Sequence, residues 1–280
     1  MKWGTLALMS LSVIIIAKNE SAAIEACLTS VAWADERIVL DGGSTDDTVA
    51  RSRALGARTA VDLDWQGFGI QKNRVLDLAT HEWVLSLDAD EQVSPMLRDE
   101  ILAVMRHPEA LAWYRIPRSS RYCGRALHHG GWWPDYVVRL FRRGQARFSV
   151  DPVHERLLGT PGGPLGTLKA PLLHDTYRDL EEALDKSNHY STLGAHQAYA
   201  RGQRASLGKA FGRSAWAFFR TLLLRRSFLD GGRGWLLAVS NAHTTFYRYA
   251  KLWLLHDRHE GSTDDLGPGS ASDADVHNDR

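Results

Sequence analysis

Three aspartates stand where predicted strands end, and their spacing suits the binding of a metal ion. Asp41 follows the run ERIVL (36–40), while Asp88 and Asp90 follow the run WVLSL (83–87) with a single alanine between them. Carboxylates gathered at one edge of a sheet repel each other unless a cation joins them. Mg²⁺ and Mn²⁺ accept carboxylate and phosphate oxygens together, so the pattern predicts a site for a divalent ion and a phosphate-bearing ligand. A simply solvated acidic loop is the alternative that the pattern leaves open.

Short apolar runs alternate with helical patterns over the first 90 residues. The run LSVIII (11–16) is rich in β-branched residues, as in strands buried on both faces of a parallel sheet, and Ser21 can cap a following helix. Further strands are predicted at 36–40, 58–61 and 83–87, and further helices at 47–55 and 70–79. This alternation predicts an α/β domain with a mainly parallel sheet, which binds ligands at the carboxyl ends of its strands.

The composition is that of an ordinary globular chain. Of 280 residues 44% are hydrophobic and 24% charged, and 34 Lys and Arg against 33 Asp and Glu leave a net charge of +1. This balance argues against a dedicated nucleic-acid binder. Only two cysteines occur, Cys27 and Cys123, which are too few for a disulfide framework and favour a reducing, cytoplasmic compartment. The apolar stretch at 6–17 is too short to span a bilayer and is interpreted as a buried strand.

Four blocks of sequence, in this order, resemble the nucleotide-sugar-binding half of the inverting family 2 glycosyltransferases, which have the fold called GT-A. They are SVIIIAKNE (12–20), DGGSTD (41–46), GFGIQKNR (67–74) and WVLSLDADE (83–91). The rival nucleotide motifs are missing, since the chain has no GxxxxGK[ST] and GFG (67–69) lacks the third glycine of the dinucleotide fingerprint. The kinase and dehydrogenase interpretations are therefore rejected.

The resemblance implies a role for each matching residue in binding a uridine diphosphate sugar. Asn19, Glu20 and Asp41 would contact the base and ribose, because a carboxylate can accept the imide proton of uracil. Lys72 would lie near the nucleotide, although a solvent-facing helix lysine is the alternative. Asp88 would contact the ribose or the metal. The resemblance also makes Asp90 a direct ligand of Mg²⁺ or Mn²⁺.

Transfer with inversion requires a base that takes the proton of the acceptor hydroxyl. Asp135, Asp151 and Glu155 are candidates, and the segment VHE (153–155) resembles a stretch of a bacterial subgroup that includes lipopolysaccharide core β-1,4-glucosyltransferases. We therefore predict Glu155 as the base and Asp135 as the second choice. His154 could orient Glu155 or could be a structural histidine.

The remaining candidates of the second half are one arginine, one histidine and a tryptophan pair. Arg139, flanked by apolar neighbours, could face the leaving diphosphate. His174, in an LxH segment similar to one in the same subgroup, could complete the coordination of the metal. Trp132 and Trp133 could stack on a sugar acceptor or belong to the core.

Residues from 180 to about 256 are predicted to be mainly helical, and the segment 201–226 carries seven Lys and Arg and no acid. At about 100° per residue an apolar face (Leu207, Phe211, Phe218, Leu222) opposes a basic face (Lys209, Arg213, Arg220). Such a helix can lie on an anionic membrane surface or pack on the domain with its basic face solvated. The resemblance favours the membrane, because acceptors of this subgroup are lipid-linked glycans at the inner face of the cytoplasmic membrane.

These observations predict three segments: a GT-A domain at 1–178, a helical extension at 179–258 that can associate with a membrane, and a disordered acidic tail at 259–280. The expected function is metal-dependent, inverting transfer of a hexose, with glucose the first choice, from a UDP-sugar to a lipopolysaccharide core or similar envelope glycan. Two alternatives stay open. One is transfer to a polyprenyl phosphate carrier, and the other is a non-catalytic, membrane-associated nucleotide-sugar-binding protein.

Overall fold

The computed structural model describes residues 10–150, 156–159 and 163–264, with side chains up to residue 257. Its first half is a parallel sheet with the strand order β3-β2-β1-β4. The strands are β1 (Leu11–Ala17), β2 (Glu36–Asp41), β3 (Arg58–Val61) and β4 (Trp83–Asp88), and the helices between them are α1 (Ile24–Ser30), α2 (Thr48–Ala54) and α3 (Phe68–Asp77). The predicted alternation of strands and helices is confirmed.

Beyond β4 the sheet becomes mixed, because the chain stops alternating between strand and helix. Strand β8 pairs antiparallel with both β4 and β6, and β12 lies parallel to β6 and antiparallel to β5, giving the full order β3-β2-β1-β4-β8-β6-β12-β5. The added elements are β5 (Glu91–Val93), α4 (Pro95–Arg106), β6 (Trp113–Tyr122), β7 (Arg125–Ala126), β8 (Asp135–Arg142), β9 (Ala146–Phe148), β10 (Leu157–Gly159), β11 (Gly166–Thr167) and β12 (Leu172–Tyr177). This arrangement brings residues far apart in sequence to one sheet edge.

Strand β1 forms the centre of the core, as its β-branched sequence predicts. Val13 and Ile15 are fully buried in a cluster with helix α1, whereas Ile14 points to the opposite face and packs with residues of helix α3. Burying a side chain of this size contributes about 1.5–3 kcal/mol relative to leaving it exposed. The buried strand therefore fixes the height at which its polar continuation, Lys18 to Glu20, leaves the sheet.

The last part of the described chain is helical. Helices α5 (Leu180–Ala200) and α6 (Leu207–Phe219) both pack on α7 (Gly232–Asp264), and a π-helical turn (Arg220–Leu224) and a 3₁₀ turn (Ser227–Asp230) join α6 to α7. Gly234 is required at the start of α7, because a Cβ atom there would lie 1.6 Å from the carbonyl oxygen of Ser227. The prediction of a helical segment is confirmed. Helix α7 includes residues 259–264 of the predicted acidic tail, and the remaining residues of the tail, 265–280, lie outside the described residues.

Candidate active site

A cleft of about 590 Å³ opens at the carboxyl ends of β1 and β4, where the strand pattern predicts a ligand site. Asn19 and Glu20 approach it from the end of β1, and Asp88 and Asp90 from the end of β4. The predicted candidates that line the cleft are Asn19, Glu20, Asp88, Asp90 and His174. Four predicted polar groups from two separate segments therefore meet in one place, and a fifth joins them from β12.

Asn19 fastens the loop after β1 to the loop after β2. It adopts a left-handed backbone conformation (φ 57°), which asparagine tolerates better than most residues. Its Oδ1 accepts a hydrogen bond of 2.8 Å from the Thr45 amide, and its own amide donates to Ser44 Oγ at 2.8 Å. Asn19 lines the cleft and is exposed, and its contact with a nucleotide stays a prediction.

Asp41 has a different environment from the other predicted acids, because it is only 1% exposed. Its Oδ2 accepts hydrogen bonds from the amides of Gly43 (2.9 Å) and Ser44 (2.8 Å), and the Ser44 hydroxyl donates to Oδ1. Leu40 and Gly42 line the cleft, whereas Asp41 does not. In this structure Asp41 shapes the turn that borders the cleft, and its contact with a uracil base stays a prediction.

Glu20 is held in an environment that disfavours its charged form. Partial burial, with the nearby Asp90 carboxylate adding to it, raises the pKa of Glu20 to about 7, although Lys186 and Arg178 act in the opposite direction. A carboxyl group that is neutral below this pH can donate a hydrogen bond to a carbonyl or hydroxyl oxygen. Glu20 can therefore contact a nucleoside either as a donor or as an acceptor, depending on pH.

The raised pKa of Glu20 predicts a pH-dependent penalty on folding. The Glu20 carboxyl group ionises near pH 4.5 in the unfolded chain and near pH 7 in the folded protein. The stability that the neutral carboxyl group contributes below pH 4.5 is therefore lost as the pH rises through 7. Glu20→Gln removes the penalty and should be more stable than wild type at pH 8 by about 1–2 kcal/mol, a figure reduced for solvent screening. Urea unfolding of chelator-treated protein at pH 4.5 and pH 8 measures this, and an equal difference at both pH values would contradict it.

Below the cleft, five charged side chains alternate in sign along a chain of ion pairs, here called the charge chain. Lys72 Nζ lies 2.9 Å from Asp88 Oδ1, the Arg139 guanidinium contacts both Asp88 and Glu91 (2.7 Å to Oε1), and Arg118 lies 3.4 Å from the same Glu91 oxygen. Although burial works against the charged forms, Arg139 and Lys72 hold the pKa of Asp88 below its ordinary range, and the two acids raise the pKa of Arg139. Asp88 and Arg139 are therefore kept ionised.

The charge chain decides the roles of three predicted residues. Lys72 is 3% exposed, so the alternative of a solvent-facing helix lysine is wrong. Arg139 is 6% exposed and faces inward as predicted, but it contacts the carboxylates below the cleft and is not among the cleft-lining residues. Asp88 keeps 32% of its side chain exposed while both its oxygens are paired. These contacts favour Asp88 as a nucleoside contact over Asp88 as a metal ligand.

Sequence reasoning missed two residues of the charge chain, Arg118 and Glu91, of which Glu91 is the more deeply buried. It is 0% exposed, accepts hydrogen bonds from Arg139 and from the amide of Asp88, and sits at the first position of β5. The only signal was its place directly after the DxD pair, where a third acid within four residues is unusual unless cations surround it. Glu91 fixes the turn that carries Asp88 and Asp90.

Asp90 and His174 form the pair best suited to a divalent ion. Asp90 Oδ2 lies 3.3 Å from His174 Nε2, and His174 Nδ1 lies 3.0 Å from Ser120 Oγ and 2.9 Å from Thr176 Oγ1. Such hydroxyl contacts orient the ring and leave Nε2 directed at the acid. Among the side chains that the structure describes, no three His, Cys, Asp or Glu residues gather as a complete metal cage. Two ligands do fit an ion that takes its remaining oxygens from a diphosphate and water.

Of the three candidate bases, Asp135 is the one that lies within the described residues. Glu155, Asp151 and His154 lie outside the described residues. Asp135, the second choice, accepts two hydrogen bonds from Arg118, at 2.9 and 2.6 Å, and is not among the residues that line the cleft. Asp135 therefore adds a sixth group to the charge chain, next to Arg118, and its contacts favour a positioning role there.

The tryptophan pair belongs in part to the core. Trp132 packs on the rings of Tyr122 and Tyr177, with ring centroids 5.7 and 6.0 Å apart, whereas Trp133 contacts His128. The structure instead places other aromatic side chains at the cleft. Trp65, Phe68 and Tyr190 line it and are about half exposed, and Lys186 of helix α5 lies beside them. None of these was predicted, because neither their spacing nor a motif connects α5 with the loop after β3.

An α/β sheet with a charged cleft at its strand ends is typical of proteins that bind small ligands there, and comparisons with known proteins identify the family. The model of glycosyl transferase family 2 matches residues 12–157. An uncharacterized glycosyltransferase of Rickettsia prowazekii (strain Madrid E) is 30% identical over 252 residues, 86% of each chain. The lipopolysaccharide core biosynthesis glycosyltransferase LpsC of Rhizobium meliloti (strain 1021) is 28% identical, over 89% of this chain and 93% of LpsC.

Among solved structures, the chain is similar to glucosyl-3-phosphoglycerate synthase from Mycobacterium tuberculosis in complex with Mn²⁺ and uridine diphosphate. The identity is 29% over 41% of this chain, with a TM-score of 0.36, and this chain spans less than half (45%) of the synthase. The match of the family model and the Rickettsia relative establish that the chain belongs to glycosyl transferase family 2. The protein is a glycosyltransferase, and the predicted GT-A fold class and enzyme class are confirmed.

Proposed function

We propose that the protein transfers a hexose, with glucose the first choice, from a UDP-sugar to a lipopolysaccharide core or similar envelope glycan, with inversion and with a divalent ion. The observation that carries the proposal is the Asp90–His174 pair, 3.3 Å apart at a cleft whose other acid, Asp88, is held by Lys72 and Arg139. Support for the acceptor class comes from LpsC, whose name places it in lipopolysaccharide core biosynthesis.

The walls of the cleft have the chemistry that a uridine diphosphate sugar needs. Trp65 and Phe68, packed edge to face with centroids 4.9 Å apart, offer an aromatic surface on which a uracil ring can stack. Asn19, Glu20 and Asp88 supply polar contacts for the nucleoside, and Lys186 supplies a cation for the diphosphate. We assign the base to the Trp65 side of the cleft and the diphosphate to the Asp90 side.

Asp90 and His174 would hold Mg²⁺ or Mn²⁺, and the bound ion would neutralise charge that develops on the departing diphosphate. The protein's own part is to fix these two ligands. Ser120 and Thr176 orient His174, while Glu91 anchors the turn that carries Asp90. Lys186, which also donates a hydrogen bond to the Thr176 carbonyl at 2.9 Å, adds a positive charge from helix α5.

Release of UDP from a panel of UDP-sugars, with Mn²⁺, Mg²⁺ or chelator, tests the proposal. We expect metal-dependent turnover with one donor preferred, and a loss of about a hundredfold or more in kcat for Glu155→Gln, because that variant lacks the base that activates the acceptor hydroxyl. Glu109→Gln is the matched control, because Glu109 is exposed in the loop that follows α4. Glu100 of α4 is unsuitable, because its carboxylate accepts hydrogen bonds from the backbone amides at 169–170.

The same measurement separates the two alternatives. A phosphate acceptor is already a nucleophile, so unchanged turnover in Glu155→Gln would favour transfer to a polyprenyl phosphate carrier. Binding of UDP with no turnover of any donor, even with lipid acceptor extracts present, would favour the non-catalytic binding protein. Either result would remove Glu155 from the mechanism.

We further propose that the helical extension at 179–258 attaches the GT-A domain at 1–178 to the inner face of the cytoplasmic membrane. Large apolar side chains are exposed along α6 and the turns that follow: Leu207 (43%), Phe211 (64%), Trp216 (54%), Phe219 (53%), Leu223 (54%), Leu224 (67%), Phe228 (42%) and Leu229 (55%). The seven cations of 201–226 accompany them with no acid among them. Exposed aromatics beside cations fit the headgroup layer of an anionic leaflet.

The face predicted from sequence needs one correction. Leu207 and Phe211 are exposed as part of this surface, but Leu222 is buried (4% exposed). Helix α6 packs on α7 through Ala210 and Ser214, whose hydroxyl donates to the Ala242 carbonyl, and the π-helical turn then alters the residue period. The outward apolar residues are therefore not those that a uniform 100° step selects. In the described helices, none is both long and apolar enough to cross a bilayer.

Vesicle sedimentation tests the attachment. Wild type should bind phosphatidylcholine vesicles that contain about 30% phosphatidylglycerol, and Arg213→Glu with Arg220→Glu should weaken binding at least tenfold, since each cation near such a surface contributes about 1 kcal/mol. Phe211→Ser with Trp216→Ser should weaken it similarly. Met96→Ser, which removes an exposed apolar side chain (72%) from α4, is the matched control. Equal binding to neutral vesicles by all variants would contradict the proposal.

A further inference from the structure

A second cleft of about 650 Å³ lies between the loop that follows β6 and the 3₁₀ turn before α7. Arg125 and His128 line it from the loop side, and Leu229 and Asp230 line it from the turn side. None of these residues lines the first cleft, at the carboxyl ends of β1 and β4, where we propose that the UDP-sugar donor binds and which we call the donor cleft. The two clefts are therefore separate, and the second one takes no part in the proposed binding of the donor.

Asp230, the one acid among the described residues that line this second cleft, already has its hydrogen-bond partners within the protein. Asp230 accepts hydrogen bonds from the amides of His128 (3.3 Å) and His129 (2.9 Å) and lies 3.0 Å from His129 Nδ1, which leaves its side chain 9% exposed. Although burial opposes it, these hydrogen bonds lower the pKa of Asp230. Asp230 thus acts as a fixed, ionised support that holds the loop 128–129 against the turn.

The groups left to meet a ligand are an arginine and a histidine. Arg125 and His128 are both exposed, and within the described part of the chain the Arg125 guanidinium has no hydrogen-bond partner. The ring of His128 is steadied by an edge-to-face contact with Trp133, at 6.3 Å between centroids. A guanidinium and an imidazole at one cleft form a donor set suited to phosphate or carboxylate oxygens.

The position of the second cleft gives it a meaning for the reaction. The Leu127 amide, next to His128, donates to the Ser120 carbonyl at 3.2 Å, and Ser120 Oγ contacts His174, the partner of Asp90. On the other side, the Gly130 amide donates to the Arg225 carbonyl at 2.8 Å. One hydrogen-bonded path therefore joins the second cleft to the proposed metal ligands, and another joins it to the basic segment that we assign to the membrane.

We propose that the second cleft binds an anionic group, phosphate or carboxylate, of the acceptor glycan, with Arg125 and His128 as its ligands. The identification of the ligand as the acceptor rests on the proposed function, whereas the binding of an anion in this cleft does not. A lipid-linked glycan that reaches from the membrane surface to Asp90 would pass this cleft, and an anchored charge would fix which hydroxyl reaches the donor sugar. The cleft would thus select acceptors by their charge.

Two measurements test the proposal independently. In the first, inorganic phosphate is titrated into the full-length protein with the donor cleft saturated by UDP, and the ring signals of His128, assigned with His128→Gln, are followed by NMR. We expect a saturable shift in wild type and in Arg106→Gln, which removes an exposed arginine at the end of α4, and its loss in Arg125→Gln. No shift in wild type, or an equal shift in Arg125→Gln, would overturn the proposal.

In the second measurement, transfer to an envelope glycolipid extract is compared among the same variants. Arg125→Gln should raise the KM for the acceptor about tenfold, the loss expected for one charge-assisted hydrogen bond, and leave the KM for the UDP-sugar unchanged. Pretreating the extract with phosphatase distinguishes the sources: a tenfold higher KM for wild type identifies phosphate, and an unchanged KM identifies carboxylate. An unchanged acceptor KM in Arg125→Gln would overturn the proposal. If no transfer occurs at all, the proposed function fails while the phosphate titration still decides whether the anion site exists.

Discussion

Asp90→Asn is expected to lower kcat for UDP release by a hundredfold to a thousandfold and to abolish the response to added Mn²⁺ or Mg²⁺. The substitution keeps the shape of the side chain but removes the negative charge that faces His174 Nε2 at 3.3 Å. An amide oxygen carries no net charge and binds a hard divalent ion more weakly than a carboxylate does. Losing one group that stabilises charge on a departing oxygen typically costs this much in rate.

The test compares initial rates at saturating donor over a range of metal concentrations. Asp99→Asn, on the exposed face of α4, is the control for a lost carboxylate elsewhere and should behave as wild type. Ser120→Ala should raise the metal concentration required for half activity by about tenfold, because Ser120 orients the ring of His174. Full activity of Asp90→Asn, or full activity of wild type in chelator, would show that the enzyme works without the ion.

The parallel half of the fold was predictable from sequence because its signals are local. The β-branched run of β1 is buried on both faces, and the acids at 88 and 90 follow their strand as the pattern indicates. The mixed half was less predictable, because β8 pairs antiparallel with β4, a strand more than 45 residues earlier in the chain, and no local pattern encodes that pairing. The sequence alone therefore placed the donor cleft better than its surroundings.

The contrast between local signals and long-range packing also separates the site residues that could be predicted from those that could not. Asn19 and Glu20 could be identified because their block resembles the family, and Asp90 because it belongs to a DxD pair at a strand end. The structure brings all three to the cleft. Lys186 could not be identified, since it lies on a helix nearly a hundred residues after Asp90, and its place at the cleft depends on how α5 packs. The charge of Glu91 becomes interpretable only when Arg139 is seen beside it.

The charge chain predicts the largest effect on stability. Arg139→Met should lower the free energy of unfolding by about 3–5 kcal/mol, because it leaves the fully buried Glu91 with Arg118, 3.4 Å away, as its remaining cation. Asp88 would keep Lys72 at 2.9 Å and its own access to the cleft, so the penalty is concentrated on Glu91. Urea unfolding at pH 7 measures the change.

Two further variants show whether the unpaired charge, and not the lost volume, is the cause. Arg118→Met removes the other arginine at Glu91, which is farther from it and 22% exposed, so it should cost about 1 kcal/mol. The double variant Arg139→Met with Glu91→Met removes both charges of the buried pair and should recover at least half of the loss, since replacing a whole buried ion pair is far less costly than breaking it. If Arg139→Met alone costs less than 1 kcal/mol, or the double variant is less stable than the single one, Glu91 does not depend on Arg139 and the charge chain does not support the turn that carries Asp90.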